Sequence, residues 1–364
     1  MQISDLAKAG CSVWLDDLSR AKLTGTDSHS LPPRIKNSGV VGVTTNPAIF
    51  KAAISNATEY ADDIATLKGK SVEEVITKLT TDDVRQACDL FTEIFRSSNG
   101  TDGRVSIEVD PRSAHDTAAT VQEGKALWQM IGRPNVLIKV PATLAGLPAI
   151  TELIGAGISV NVTLIFSIER YLQVAEAYIA GVEIAAKNGV DLTKVHSVAS
   201  FFISRLDSAI DPILKADGGI LAHSLLGAAA IANAHLAYEQ FEKTFASSRW
   251  QKLASQGANL QRPLWASTGV KDPTYDDTRY VLELVAPNTV NTMPQSTLDA
   301  VISHGIFKGN TIAGKYDEAR IVFQQLAELG ISIDKVTADL EIDGVNKFAD
   351  AWNELLASVK GAMS

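Results

Sequence analysis

The chain has 364 residues, 46% of them hydrophobic and 21% charged, with a formal net charge of −9. Such an apolar fraction supplies a large core and excludes a disordered chain, and the acidic balance shows no basic patch of the kind a nucleic-acid binder presents. No run of about 18 uncharged apolar residues is present to span a membrane, and Met1–Cys11 lacks the basic-then-apolar order of a signal peptide.

Eight β-rich runs are predicted in chain order: Ser12–Asp16, Gly39–Val43, Val105–Val109, Asn135–Val140, Ser159–Leu164, Val195–Ser200, Leu264–Ser267 and Thr289–Thr292. Helical periodicity fills the intervals, as in Ser71–Phe95 and in Asp317–Leu329, where Ala319, Val322, Phe323, Leu326 and Leu329 share one face. The long connection Ile49–Arg104 should hold two or three helices, Arg205–Pro263 a long helix near His223–Phe245, and Val345–Val359 a last amphipathic helix packed on the barrel. Alternation of strand and helix implies a parallel sheet covered by helices, and eight units fit a closed barrel. The predicted fold is therefore a single α/β domain over residues 1–364: a (β/α)8 barrel with extra helices in its connections. The rival, an open doubly wound sheet, would carry a glycine-rich first turn. Here the first strand runs into Asp16-Asp17-Leu18-Ser19-Arg20 without a glycine, and Gly155-Ala156-Gly157 precedes a strand and reads as a helix cap and loop.

In a barrel, alternate side chains point to the helices or to the lumen. Taking the aliphatic set as helix-facing turns Val13 and Leu15 outward and Asp16, but not Asp17, inward. The same rule turns out Val41 and Val43, with Asn46 on the inner parity just past the strand. It leaves Glu108 inside between Ile107 and Val109, and Lys139 inside between Ile138 and Val140. Asn161 and Thr163 fall inside among Val160, Val162 and Leu164, and Ser267 inside after outward Leu264 and Ala266. Each polar residue falls near the C-terminal end of its strand, where barrel active sites form. Taken singly, Lys139 could be a salt-bridged core lysine, Glu108 and Asp16 strand-end or capping residues, and Asn46, before Pro47, a turn or helix cap. Together they place one amine beside two carboxylates. A desolvated lysine keeps more free amine at neutral pH, a free amine attacks a ketone to form an imine, and nearby carboxylates can move protons.

Cys11 and Cys88 form no Cys-x-x-Cys or Cys/His ligand pattern and read as two reduced thiols of a cytosolic protein. The six histidines show no metal-ligand spacing either, and His196, on a strand, reads as a satisfied core histidine.

The segment Gly42-Val-Thr-Thr-Asn46-Pro-Ala-Ile-Phe50 resembles the first signature of the transaldolase family, and Val136-Leu-Ile-Lys139-Val-Pro-Ala-Thr143-Leu-Ala-Gly146-Leu147 resembles the second. Val105–Asp110, Val160–Leu164 and Ser200–Arg205 add matches in order, and the chain is similar to the longer, actinobacterial type. The resemblance implies a transferase of the pentose phosphate pathway. It would move a dihydroxyacetone unit from sedoheptulose 7-phosphate to glyceraldehyde 3-phosphate through a Schiff base, without metal or organic cofactor. Lys139 would form the imine, Asp16 would take the proton from the C4 hydroxyl, and Glu108 with Thr163 would hold a catalytic water. Asn46 and Asn161 would bind hydroxyls of the three-carbon unit, Ser200 and Phe202 would line the pocket, and Arg205 would grip the phosphate. Many members carry an arginine two positions past a serine that follows the seventh strand. Here Gly269 stands there, and Lys271 is expected to supply the charge, assisted by Ser267, unless it is only a solvated loop lysine. The expected partners are sugar phosphates, with no nucleic acid and no membrane, for a cytoplasmic monomer or homodimer. The alternatives are a fructose-6-phosphate aldolase on the same scaffold, releasing free dihydroxyacetone, and a non-catalytic barrel that binds without reacting.

Overall fold

A computed structural model describes residues 3–55 and 58–363. Eight parallel strands, β1 (Cys11–Asp16), β2 (Gly42–Thr44), β3 (Arg104–Glu108), β4 (Val136–Pro141), β5 (Val160–Ile165), β6 (Ser197–Phe202), β7 (Gln261–Ala266) and β8 (Thr289–Met293), pair in sequence order. β8 returns to β1, with Cys11 opposite Thr289 and Leu15 opposite Met293, and closes the barrel. This is the (β/α)8 architecture that the strand count predicts, and no helix among the described residues is long and apolar enough to cross a membrane.

Two packed layers follow from strand parity. Val13, Leu15, Val43, Val105, Ile107, Val136, Ile138, Val140, Val160 and Val162 face outward into the core shared with the helices. A smaller inner cluster, including Trp14, Leu137, Val198, Leu264 and Val290, fills the lumen. The Trp14 ring lies across β2, and a Cβ on Gly42 would stand 2.6 Å from it. Glycine is the residue that lets the ring occupy the barrel axis. Beneath it Asp102 accepts hydrogen bonds from Trp14 Nε1 (3.2 Å), Ser12 Oγ (2.8 Å) and Arg262 (3.2 Å). These groups plug the N-terminal end of the lumen.

Several expectations need correction. The second strand starts at Gly42, because Gly39 adopts a left-handed φ of 64° and caps the helix Leu31–Ser38. Val41, just before that strand, packs against the lumen cluster. Leu164 also points inward: the β5–β6 register shifts between Val162 and Ile165, and Leu164 takes a left-handed φ of 61°. Such a bulge changes which face the next side chain meets. In β7 the parity is reversed, with Leu264 and Ala266 inside and Trp265 outside. The Trp265 indole joins the outer core, where its Nε1 donates to the Leu284 carbonyl at 2.9 Å, a partner that alternation of aliphatic residues alone does not reveal. Ser267 still reaches the barrel mouth, because its own φ of 56° breaks the alternation.

The connection after β2 holds more helical pieces than expected: Pro47–Ile54, Ala61–Thr66, Val72–Leu90 and Thr92–Ser97. Ser71 and Glu74 form a reciprocal capping box on the third of them. The helix expected at His223–Phe245 divides into Ile220–Ser224 and Ala229–Phe245 around Gly227. The last helix is longer than its apolar stripe suggested, running Ile333–Met363.

At the N-terminal end of β6, His196 is 9% exposed and lies 3.4 Å from Asn259 Nδ2. Burial, with Arg104 nearby, pushes its pKa down to about 3. An unfolded histidine protonates near 6.5. The unfolded chain therefore binds the extra proton first, and the stability contributed by the neutral ring is present above pH 6.5 and lost as pH falls toward 3. His196→Gln should flatten the loss of thermal stability between pH 7 and pH 5 by about 1–2 kcal/mol relative to the parent. Parallel melting curves for the two proteins would check this.

Candidate active site

The C-terminal ends of the strands enclose a small cleft of about 130 Å³. Asp16, Asn46, Lys139, Thr163, Ser200, Phe202, Arg205, Ser267 and Lys271 all line it. Glu108 and Asn161 stand against these residues from just below.

Lys139 is 4% exposed, and its Nζ donates to Glu108 Oε2 at 2.9 Å and to the Thr45 carbonyl at 3.0 Å. β3 and β4 pair Glu108 with Lys139 in register, so the ion pair is built into the sheet. Burial pushes the Glu108 carboxyl above the usual carboxylate range, against the pull of Lys139. Asp16 is raised as well, burial again being the largest cause, with Lys139 and a 2.6 Å hydrogen bond from Thr44 Oγ1 opposing it. Thr44 in turn contacts Thr292 Oγ1 at 2.6 Å. Asp17 leaves the cleft and pairs with Lys22 at 3.1 Å.

Glu108 Oε1 and Thr163 Oγ1 are both buried without a hydrogen-bond partner among the described residues. Buried polar atoms of that kind cost free energy unless something fills their valence. Asn161 is spoken for at both ends: its Nδ2 donates to Ser106 Oγ (2.9 Å) and its Oδ1 accepts from Ser200 Oγ (2.7 Å). It therefore orients Ser200 and does not itself line the cleft. Asn46 caps the helix Pro47–Ile54 through Oδ1, which accepts from Ile49 N at 3.0 Å, and the residue also lines the cleft. The cap and the ligand readings of that residue are compatible.

Arg205 lies in the first turn of the helix Ser204–Asp217, which follows β6. Its guanidinium lies 5.1 Å from the Phe202 ring centroid, Nη1 is buried without a hydrogen-bond partner among the described residues, and burial lowers its pKa. Across the mouth, Gly269 and exposed Lys271 follow Ser267. The reading from sequence missed one wall: Phe348, on the C-terminal helix, lies 5.4 Å from Lys139 Nζ and 5.9 Å from the Arg205 guanidinium. The helix comes this close at Gly344, where a Cβ would stand 3.0 Å from Leu164 and 3.4 Å from Arg205 Nη1. The available signal was the stripe Val345, Phe348, Trp352, Leu355 and Val359, which marks a buried face without saying that the face meets the cleft. Thr44, Thr292 and Pro294 were missed as well.

The arrangement offers a buried amine, two carboxylates held protonatable by burial, and a cationic rim at the mouth. That combination suits imine chemistry on an anionic carbonyl compound. Residues 13–359 match the family described as Transaldolase/Fructose-6-phosphate aldolase. The chain is 56% identical to a transaldolase of Renibacterium salmoninarum, over 99% of this chain and 96% of that protein. It is 56% identical to transaldolase 1 of Streptomyces coelicolor (97% and 93% covered) and 53% identical to a transaldolase of Mycolicibacterium smegmatis (99% and 97%). Matched over nearly its whole length in both kinds of comparison, the chain belongs to the transaldolase/fructose-6-phosphate aldolase family.

Proposed function

We propose that the chain works as a transaldolase in the cytoplasm, residues 1–364 acting as one catalytic unit on sugar phosphates. The observation that carries the reading is the buried Lys139 amine, 2.9 Å from Glu108 and in the same cleft as Asp16. The Lys139 amine adds to C2 of sedoheptulose 7-phosphate, and water leaves to give an iminium ion. Asp16 takes the proton of the C4 hydroxyl. The C3–C4 bond breaks, its electrons pass into the iminium as an enamine, and erythrose 4-phosphate departs as the aldehyde. C3 of the enamine then adds to the carbonyl of glyceraldehyde 3-phosphate, Asp16 returns the proton to the new alkoxide, and water releases fructose 6-phosphate and the free amine.

The two unpartnered atoms, Glu108 Oε1 and Thr163 Oγ1, support a role for that pair in holding the water of imine formation and hydrolysis. The Asn46 amide binds a hydroxyl of the three-carbon unit, Asn161 acts by orienting Ser200, and Phe202 forms the apolar wall. Arg205 grips the substrate phosphate through its free Nη1, because a guanidinium matches phosphate oxygens in pairs. Lys271, with Ser267 and the backbone at Gly269, completes the phosphate site from the other rim.

Borohydride reduction in the presence of fructose 6-phosphate should inactivate the enzyme and leave the label on Lys139, read by peptide mapping. A label on Lys125 or Lys308 would remove Lys139 from its role. With fructose 6-phosphate alone, little dihydroxyacetone should be released, and adding erythrose 4-phosphate should start rapid turnover. Equal steady turnover without an acceptor would move the activity to the aldolase.

Asp16 and Asp17 can be told apart directly. Asp16→Ala should slow C3–C4 cleavage by ~10²–10⁴-fold while borohydride still traps the imine. Asp17→Ala should stay within about threefold of the parent, since its half-buried ion pair with Lys22 lies outside the cleft and such pairs near the surface contribute little. Steady-state rates and trapping yields on the two variants make the comparison.

A further inference from the structure

The helix Ser204–Asp217 carries Arg205 in its first turn and, further along one face, Asp207, Asp211 and Lys215 at intervals of four. The segment after β7 carries Ser267, Gly269 and Lys271 and then meets that stripe in antiparallel order. Lys215 Nζ reaches Asp272 Oδ2 at 2.7 Å, Tyr275 OH donates to Asp211 Oδ2 at 2.7 Å, and Tyr280 OH donates to Asp207 Oδ2 at 2.7 Å. The second oxygens of the two aspartates are held by Ala230 N (2.8 Å) and Gly227 N (2.9 Å), which fixes each carboxylate in place. Where the two segments begin, Ser204 N donates to the Ser267 carbonyl at 3.1 Å and the two Ser hydroxyls meet at 3.0 Å.

Val270 packs against the core, but beyond it packing does little to hold residues 271–275. Lys271, Pro273 and Thr274 are exposed, and open hollows flank the stretch on both sides, with Lys271, Asp272, Pro273 and Tyr275 bordering each. A segment with so few buried apolar contacts takes its position from its polar tethers.

We infer that Asp207, Asp211 and Lys215, with Tyr280, Tyr275 and Asp272, are positioning residues that set the span between Arg205 and Lys271 and so tune the site to a phosphate ester. The inference rests on the proposed phosphate role of Lys271. None of the six tether residues belongs to the cleft lining that touches the reacting atoms. They act through the two cations. Buried Asp207 and Tyr280 belong to the core, at 2% exposure each, whereas Tyr275 and Lys215 are accessible and can be altered with less risk to folding.

The test uses Tyr275→Phe, Lys215→Met, Lys271→Ala and the double variant Tyr275→Phe/Lys271→Ala in the full-length enzyme. KM and kcat are measured for fructose 6-phosphate and for fructose as donors, with erythrose as the common acceptor and sedoheptulose as the common product, and thermal midpoints are recorded on the same samples. Tyr275→Phe and Lys215→Met should each raise KM for fructose 6-phosphate by about three- to tenfold, the loss of one charge-assisted hydrogen bond, with KM for fructose and kcat within about twofold. Adding Tyr275→Phe to Lys271→Ala should change KM by less than about twofold, because the tethered segment then carries no cation whose distance from Arg205 could matter. A raised KM in Lys271→Ala with no change in Tyr275→Phe and Lys215→Met overturns the tether alone. An unchanged KM in Lys271→Ala overturns the phosphate role of that lysine and the tether with it. Equal rises for fructose and fructose 6-phosphate, or a lowered thermal midpoint with no change in KM, would make the stripe a structural brace and overturn the inference.

Discussion

A lysine ammonium 4% exposed must be compensated, and here the compensation is a carboxylate on the next strand at 2.9 Å. Breaking such a pair leaves an unpaired buried charge, at a cost of about 3–5 kcal/mol. The requirement reaches outward through the sheet. β3 and β4 must pair with Glu108 opposite Lys139, and the Thr45 carbonyl must turn to accept a second hydrogen bond from Lys139 Nζ. Asp16 must stay close enough for its charge to be felt by both. The same burial that makes the pair expensive raises both carboxyls, so the groups able to carry protons are those that the lysine needs as neighbours.

Around this pair, departures from regular strand geometry gather at the cleft. Leu164 and Ser267 are non-glycine residues with positive φ, at 61° and 56°, and both sit where a strand gives way to its loop. Strain of that kind persists only where the surroundings hold it. At Leu164 it turns an apolar side chain under the C-terminal helix, where Gly344 lets the helix descend and Phe348 reach the amine. At Ser267 it aims a hydroxyl at the mouth although the preceding residue already faces inward.

Much of this was legible in the linear sequence because closed parallel barrels force a two-residue alternation. Lys139 between Ile138 and Val140, and Glu108 between Ile107 and Val109, can face only the lumen if their neighbours face the helices. The rule failed where its premise failed. Leu164 and Leu264 are aliphatic yet inward, one through a bulge and the other because Trp265 takes the outer core, where its Nε1 meets the Leu284 carbonyl. Gly39 looked like the start of a strand because a helix cap and a strand edge can both begin with glycine. Phe348 lay beyond any local pattern, since about 200 residues separate it from Lys139 and only the tertiary path of the last helix joins them. Asn161 illustrates a subtler limit: parity gives a side chain's direction but not its depth, and the hydrogen bonds to Ser106 and Ser200 place it one layer below the cleft.

The plug of Trp14, Asp102, Ser12 and Arg262 at the opposite end of the lumen has a kinetic consequence. A tube stoppered at one end has a single doorway, so on the reading proposed above two aldose phosphates could not pass each other. The departing aldehyde would have to vacate the rim cations before the next one could be admitted, while the three-carbon fragment stayed behind on a covalent leash. A reaction confined in this way would follow a ping-pong course, its order set by the shape of the vessel together with the chemistry inside it.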